Sequence, residues 1–111
     1  MKRGDIYRVN LNPTQGHEQN GTRRVVVVSP DRFNIMTKTP VVLPITTGEG
    51  GTVYAQNLGF AVPAGGETTT GIIRCDQPRA LAIEAREGEL VDRLPDDILD
   101  DVLARVTTLF Q

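Results

Sequence analysis

The chain is 111 residues long, 39% hydrophobic and 23% charged, with a formal net charge of −2, which suits a single soluble domain over 1–111 with one modest core. One cysteine excludes an intramolecular disulfide, and Met1-Lys2-Arg3-Gly4-Asp5 leads into no apolar signal core; no run nears the ~20 apolar residues that span a bilayer, so a reducing cytoplasm and no membrane are expected. Residues 1–80 carry nine Lys/Arg against six Asp/Glu, and residues 81–111 three against eight, which disfavours indiscriminate polyanion binding yet leaves room for a locally basic face.

Ile6–Leu11 alternates Tyr7, Val9 and Leu11 against Ile6, Arg8 and Asn10, and reads as a first strand. Asn12–Thr22, rich in Asn, Gly and polar residues, reads as a loop. Arg23–Ser29 holds four consecutive valines, the pattern of a strand buried on both faces. Ser29-Pro30-Asp31 sets a capping residue before a proline at a first helical position, predicting a short helical turn through Phe33. Val41–Thr46 reads as a strand in which Pro44 implies an edge or a bulge.

Glu49–Gln56 is glycine-rich and expected to be mobile. Leu58–Val62 and Thr70–Gln77 read as strands joined through Pro63-Ala64-Gly65-Gly66, and Arg79–Ile83 as one more. From Pro95, at a first-turn site, Ile98, Leu99, Val102, Leu103, Val106, Leu109 and Phe110 form the apolar stripe of a terminal helix. Its Asp96, Asp97, Asp100 and Asp101 suit a solvated first turn better than a metal site, which needs converging ligands. Many short strands and one helix indicate a mainly β protein with α, a small bent barrel carrying a C-terminal helix.

The stretch from Thr69 to Arg79 carries the most chemistry. Strand alternation puts Thr70, Ile72, Arg74 and Asp76 on one side and Gly71, Ile73 and Cys75 on the other. Same-face neighbours lie roughly 6.5–7 Å apart, a spacing at which Arg74 and Asp76 can touch one phosphodiester linkage; the plain alternative is a surface ion pair. The lone His17 and lone Cys75 make no zinc constellation, and no glycine-rich phosphate loop is present, so no metal and no cofactor are expected. Cys75, turned toward the core, reads as an inert small hydrophobe. What remains is His17, Arg74, Asp76, a second arginine at Arg23 or Arg24, and the hydroxyls of Thr46 and Thr47. That set matches metal-free RNA cleavage, which needs a base for the ribose 2′-hydroxyl, positive charge for the transition state and a proton for the departing 5′-oxygen.

Several motifs occur in one order: Gly4-Asp5-Ile6, Asn12-Pro13-Thr14, Gly16-His17-Glu18-Gln19, Gly21-Thr22-Arg23, Val28-Ser29-Pro30, Pro44-Ile45-Thr46, Gly59-Phe60-Ala61-Val62 and Thr70 through Arg79. In this order the chain resembles the MazF/PemK family of toxins, the PemK/Kid branch most closely, with residues 48–57 least alike. The resemblance implies an SH3-like barrel, a homodimer, and ribosome-independent, metal-independent cleavage of single-stranded RNA at or beside a UA core. It further implies neutralisation by a cognate antitoxin, with DNA contacted only indirectly through that antitoxin.

Residue by residue, the resemblance places catalysis on Asp76, Arg74 and His17, and, from the MazF branch, on Arg23 and Thr46. It places RNA contacts on Thr47, Leu58, Phe60, Thr70, Ile72 and Gln77. Leu58 stands where the family has a smaller residue. Arg24 stands in place of the usual proline, leaving open which of Arg23 and Arg24 faces the site. Asp76 is the expected base and Arg74 the transition-state clamp, with the acid either Arg74 or His17. A gyrase-binding toxin of the CcdB type would not need Arg74 and Asp76 and would rely on a Trp-Gly-Ile terminus where this chain ends Leu109-Phe110-Gln111. A non-catalytic RNA-binding barrel would want more stacking aromatics than three Phe and two Tyr.

Overall fold

In a computed structural model the described residues are 1–11, 21–47 and 56–111. Among these residues seven strands form one antiparallel sheet: β1 (Asp5–Asn10), β2 (Thr22–Val27), β3 (Val41–Thr46), β4 (Ala61–Pro63), β5 (Ile72–Arg74), β6 (Arg79–Ala80) and β7 (Glu89–Arg93). Among the described residues, helices α1 (Asp31–Thr37) and α2 (Asp96–Thr108) accompany the sheet. The spatial order is β4-β5-β3-β2-β1-β7, and β6 pairs with the other half of β3, so the sheet forks there. No helix among the described residues is long and apolar enough to cross a membrane.

The valine run at the centre explains the layering. Val26 and Val28 join Ile6, Leu43, Ile45, Ile73 and Cys75 in a core that also holds Leu94, Leu99 and Val102 of the α2 region. Val25 and Val27 point the other way, into a second core with Val9, Val42, Leu81 and Ile83. A strand with both faces buried cannot alternate polar and apolar residues, as its sequence pattern anticipated. Each such side chain contributes about 1.5–3 kcal/mol of burial, so β2 and β3 form the stable spine on which the strand ends are presented.

Several boundaries differ from the sequence expectations. Pro44 lies in an internal strand, not at an edge. It is tolerated because β3 changes partner beside it: Val41 and Val42 pair with β6, Ile45 and Thr46 with β5, and no pairing falls on Pro44 from that side. Pro30 and Pro95 are N-caps with ψ of 150° and 145°, one position before the first helical residue. Helix α1 runs to Thr37, well past Phe33, because Asn34 is fully buried and tied to Met1 O and Ser29 O, while Lys38 closes the helix with a left-handed φ of 58°. Ser29 does not cap it; its hydroxyl donates to Asn34 Oδ1 and accepts from Val41 N.

The segment expected as a strand over Leu58–Val62 is a turn through Gly59 and then β4, and β6 is shorter than Arg79–Ile83. The strand expected over Thr70–Gln77 is only Ile72–Arg74, because Gly71 enters it at φ +113° and the chain turns again after Arg74, where Gln77 N donates to Arg74 O. Strand β7 went unforeseen. The expected loop Asn12–Thr22 falls outside the described residues apart from Gly21 and from Thr22, which opens β2; the expected mobile stretch Glu49–Gln56 falls outside apart from Gln56.

Candidate active site

A cavity of about 660 Å³ opens where β2 begins and β3 ends. Its wall carries Arg8, Arg23 and Arg24, the threonines Thr22, Thr46, Thr47, Thr68 and Thr70, and Ile45. Among the described residues that line it there are three cations and no carboxylate, so the cavity suits an anion with many acceptor oxygens. The Thr46 hydroxyl is buried with no hydrogen-bond partner among the described residues, although buried polar groups are ordinarily paired.

Sheet register explains how these residues meet. Arg24 pairs with Ile45, where the β2–β3 ladder ends, and Thr46 pairs with Ile72, so Arg23 and Thr46 are the next residues beyond that last pair. Partners across a ladder share a face, so Thr46 and Ile72 lie in one row, and Arg74 follows two residues along β5. Gly71 closes the approach: a Cβ there would come within 2.5 Å of the Thr46 carbonyl oxygen, and its φ of +113° is one that residues with a side chain rarely adopt.

Arg23 and Arg24 both line this cavity, in different surroundings. Arg23 is exposed on the rim and donates to Thr22 O at 2.8 Å. Arg24 is half-buried and donates through Nη1 to Thr69 Oγ1 at 2.6 Å and to Thr68 Oγ1 at 3.1 Å. Arg8, directly opposite Arg24, is ion-paired with Glu89.

Arg74 and Asp76 do not line the cavity; they form a closed pair beside it. Arg74 Nε and Nη2 donate to the two Asp76 oxygens at 2.9 and 2.8 Å. They meet because the chain turns at Asp76, so the separation expected from strand alternation does not apply. The hydrogen bond to Arg74 holds the Asp76 carboxyl below the usual carboxylate range against the opposing effect of burial. The same bond raises the Arg74 guanidinium. Cys75 points into the core as expected, fully buried, with burial pushing its thiol up to about 11.

The remaining expected residues divide. Thr47 and Thr70 line the cavity, and Ile72 sits beside it through Thr46. Phe60 packs against the first core, and its carbonyl accepts from Cys75 N, while Leu58 and Gln77 are exposed. His17 lies outside the described residues.

Sequence reasoning missed Asp92 and the segment it holds. Asp92 accepts from the Thr69 hydroxyl at 2.7 Å and from the amides of Thr68, Arg93 and Glu67 at 2.9, 2.8 and 3.3 Å. Burial works to raise its pKa, but these bonds together outweigh burial and keep the carboxyl far below the usual range. Gly66 leaves the room for this cluster, since a Cβ there would fall 2.3 Å from Asp92 Oδ2. Apart from the adjacent Arg93, the partners lie 23 to 25 residues before Asp92, so no local pattern announces them.

Comparison with known proteins places the chain in a family. Residues 2–110 match the family described as PemK-like, MazF-like toxin of type II toxin-antitoxin system. The chain is 47% identical to endoribonuclease PemK of Escherichia coli, covering 98% of this chain and 81% of that protein. It is 33% identical to the endoribonuclease toxin ChpB of Escherichia coli K12, covering 100% and 95%. Among solved structures, MazF in the MazE–MazF complex from Deinococcus radiodurans superposes with a TM-score of 0.80 at 27% identity, covering 99% of this chain and 95% of that one. The expected mainly β fold with a C-terminal helix and the PemK-branch likeness are both borne out, and the chain belongs to the PemK-like, MazF-like toxins of type II toxin–antitoxin systems.

Proposed function

We propose that this chain is an endoribonuclease toxin that cuts single-stranded mRNA and so stops translation. The observation that carries this reading is a cavity lined, among the described residues, by three arginines, five threonines and no carboxylate, with the Arg74–Asp76 pair starting two residues along the strand from Ile72, the partner of Thr46, in a chain 47% identical to an endoribonuclease. Asp76 takes the proton of the ribose 2′-hydroxyl, the O2′–P bond forms, and the P–O5′ bond breaks to leave a 2′,3′-cyclic phosphate and a 5′-hydroxyl. Arg74 stabilises the charge that builds on the phosphorus oxygens. With both Asp76 oxygens occupied by Arg74, the scissile phosphate must take over guanidinium donors to free the base. The departing O5′ receives its proton from Arg74 or His17. Arg23 and Thr46 hold the phosphate, while Thr47, Leu58, Phe60, Thr70, Ile72 and Gln77 contact flanking nucleotides around a UA step. No metal or cofactor takes part.

The same reading carries the partners. In the cytoplasm the toxin domain over 1–111 acts as a homodimer, for which Ile35 and Met36, 72% and 76% exposed on α1, offer apolar surface. A cognate antitoxin covers the basic groove, as MazE accompanies MazF in the Deinococcus radiodurans complex, and links the toxin to DNA only indirectly.

The decisive experiment is cleavage of a short UA-containing RNA in excess EDTA, beside the same RNA with a 2′-deoxy sugar at the cut. Only the ribose substrate is expected to be cut, and Asp76→Asn to slow cleavage about 10²–10⁴-fold. Cutting of the deoxy substrate, or a need for divalent metal, overturns the mechanism.

A further inference from the structure

Arg8 and Arg24 sit directly opposite one another on the same face of the sheet, an arrangement that destabilises a ladder unless other charges compensate. Glu89 compensates Arg8. Among the described residues Arg24 bonds neutral oxygens alone: Thr68 O at 3.2 Å, Thr68 Oγ1 at 3.1 Å and Thr69 Oγ1 at 2.6 Å. All three bonds use Nη1, so Nε and Nη2 have no partner among the described residues. Those two donors form one edge of the guanidinium, the edge that matches two oxygens of a phosphate.

Behind Arg24 the orientation is fixed by a relay. Thr69, 3% exposed, has one hydroxyl proton and gives it to Asp92 Oδ2 at 2.7 Å, which turns its lone pair toward Arg24. Asp92 accepts further from three backbone amides, from the Thr68 hydroxyl at 3.3 Å and through both carboxylate oxygens, so the anion is pinned. The carboxylate thus steers the arginine through a hydroxyl without touching or neutralising it directly.

We propose that Arg24 grips a backbone phosphate of single-stranded RNA next to the scissile linkage, and that Thr69 and Asp92 are the positioning residues that aim it. This rests on the ribonuclease reading for its ligand. It gives the arginine that replaces the family's usual proline a task distinct from that of Arg23 on the rim.

The test is equilibrium binding of a fluorescent single-stranded UA-containing RNA, 2′-deoxy at the cut so that it stays intact, over a NaCl series. Arg24→Gln is expected to weaken Kd about tenfold, the scale of one charge-assisted hydrogen bond, and to lower the slope of log K against log salt by about 0.7, one phosphate on a single strand. Thr69→Val should weaken binding in the same direction, and Thr69→Ser, which keeps the hydroxyl, should restore it with an equal melting temperature. If the wild type binds and Arg24→Gln changes neither Kd nor slope, the proposal fails while the ribonuclease reading stands. If Thr69→Ser binds no better than Thr69→Val, the relay is refuted. A wild type that neither binds nor cuts RNA refutes both readings.

Discussion

At the scale of single residues, Arg74 and Asp76 show how a pair can be strong and yet poised. The pair is bidentate, with side chains 8% and 22% exposed, and it keeps Asp76 ionised at the cost of weakening it as a base. A carboxyl whose folded pKa is depressed contributes stability that is present above its unfolded value and is lost as pH falls through its folded value. Replacing Arg74 by Gln removes the dominant lowering influence while burial, which raises, remains. The Asp76 carboxyl should therefore titrate at higher pH in Arg74→Gln than in the wild type, followed by carbon-detected NMR of the Asp76 side chain. An unchanged titration would mean that Arg74 does not set the base.

Elements explain which parts of this arrangement were legible beforehand. The Val25–Val28 run announced a doubly buried strand, and strand alternation correctly turned Cys75 inward, because both depend on neighbours one or two residues away. Pro30 and Pro95 marked helix starts to within one residue for the same reason. The cluster of Arg24, Thr68, Thr69 and Asp92 was not legible: its bonds span 23 to 45 residues, and β7, which carries Asp92, follows no strong alternation. The shortness of β5 was hidden in Gly71, whose positive φ is visible only once Thr46 lies against it. Gly71→Ala should thus act on the junction of β3 and β5 rather than on one residue. The added methyl meets backbone, not a flexible side chain, so the chain must shift. The expected loss is about 1–3 kcal/mol of unfolding free energy in urea, with weakened RNA cleavage because the cavity wall at Thr46, Thr47 and Thr70 moves with it.

For the molecule as a whole, the net charge of −2 and the basic cavity make opposite demands on RNA affinity, and salt separates them. At 0.1 M ionic strength the screening length is about 10 Å, so acids farther away, such as those on the exposed side of α2, act on bound RNA only weakly. Arginines within hydrogen-bond reach of phosphates are not screened in that way; their effect appears as counterion release. Two to three phosphates neutralised by Arg23, Arg24 and Arg8 give a slope of about −1.4 to −2.1 on single-stranded RNA. Raising NaCl from about 50 to about 200 mM should then weaken binding roughly 7- to 18-fold, with the lower figure expected because Glu89 already occupies Arg8. Binding that is flat in salt would show that the cavity's cations do not meet the backbone. Binding that strengthens with salt would show that the protein's overall negative charge governs the encounter.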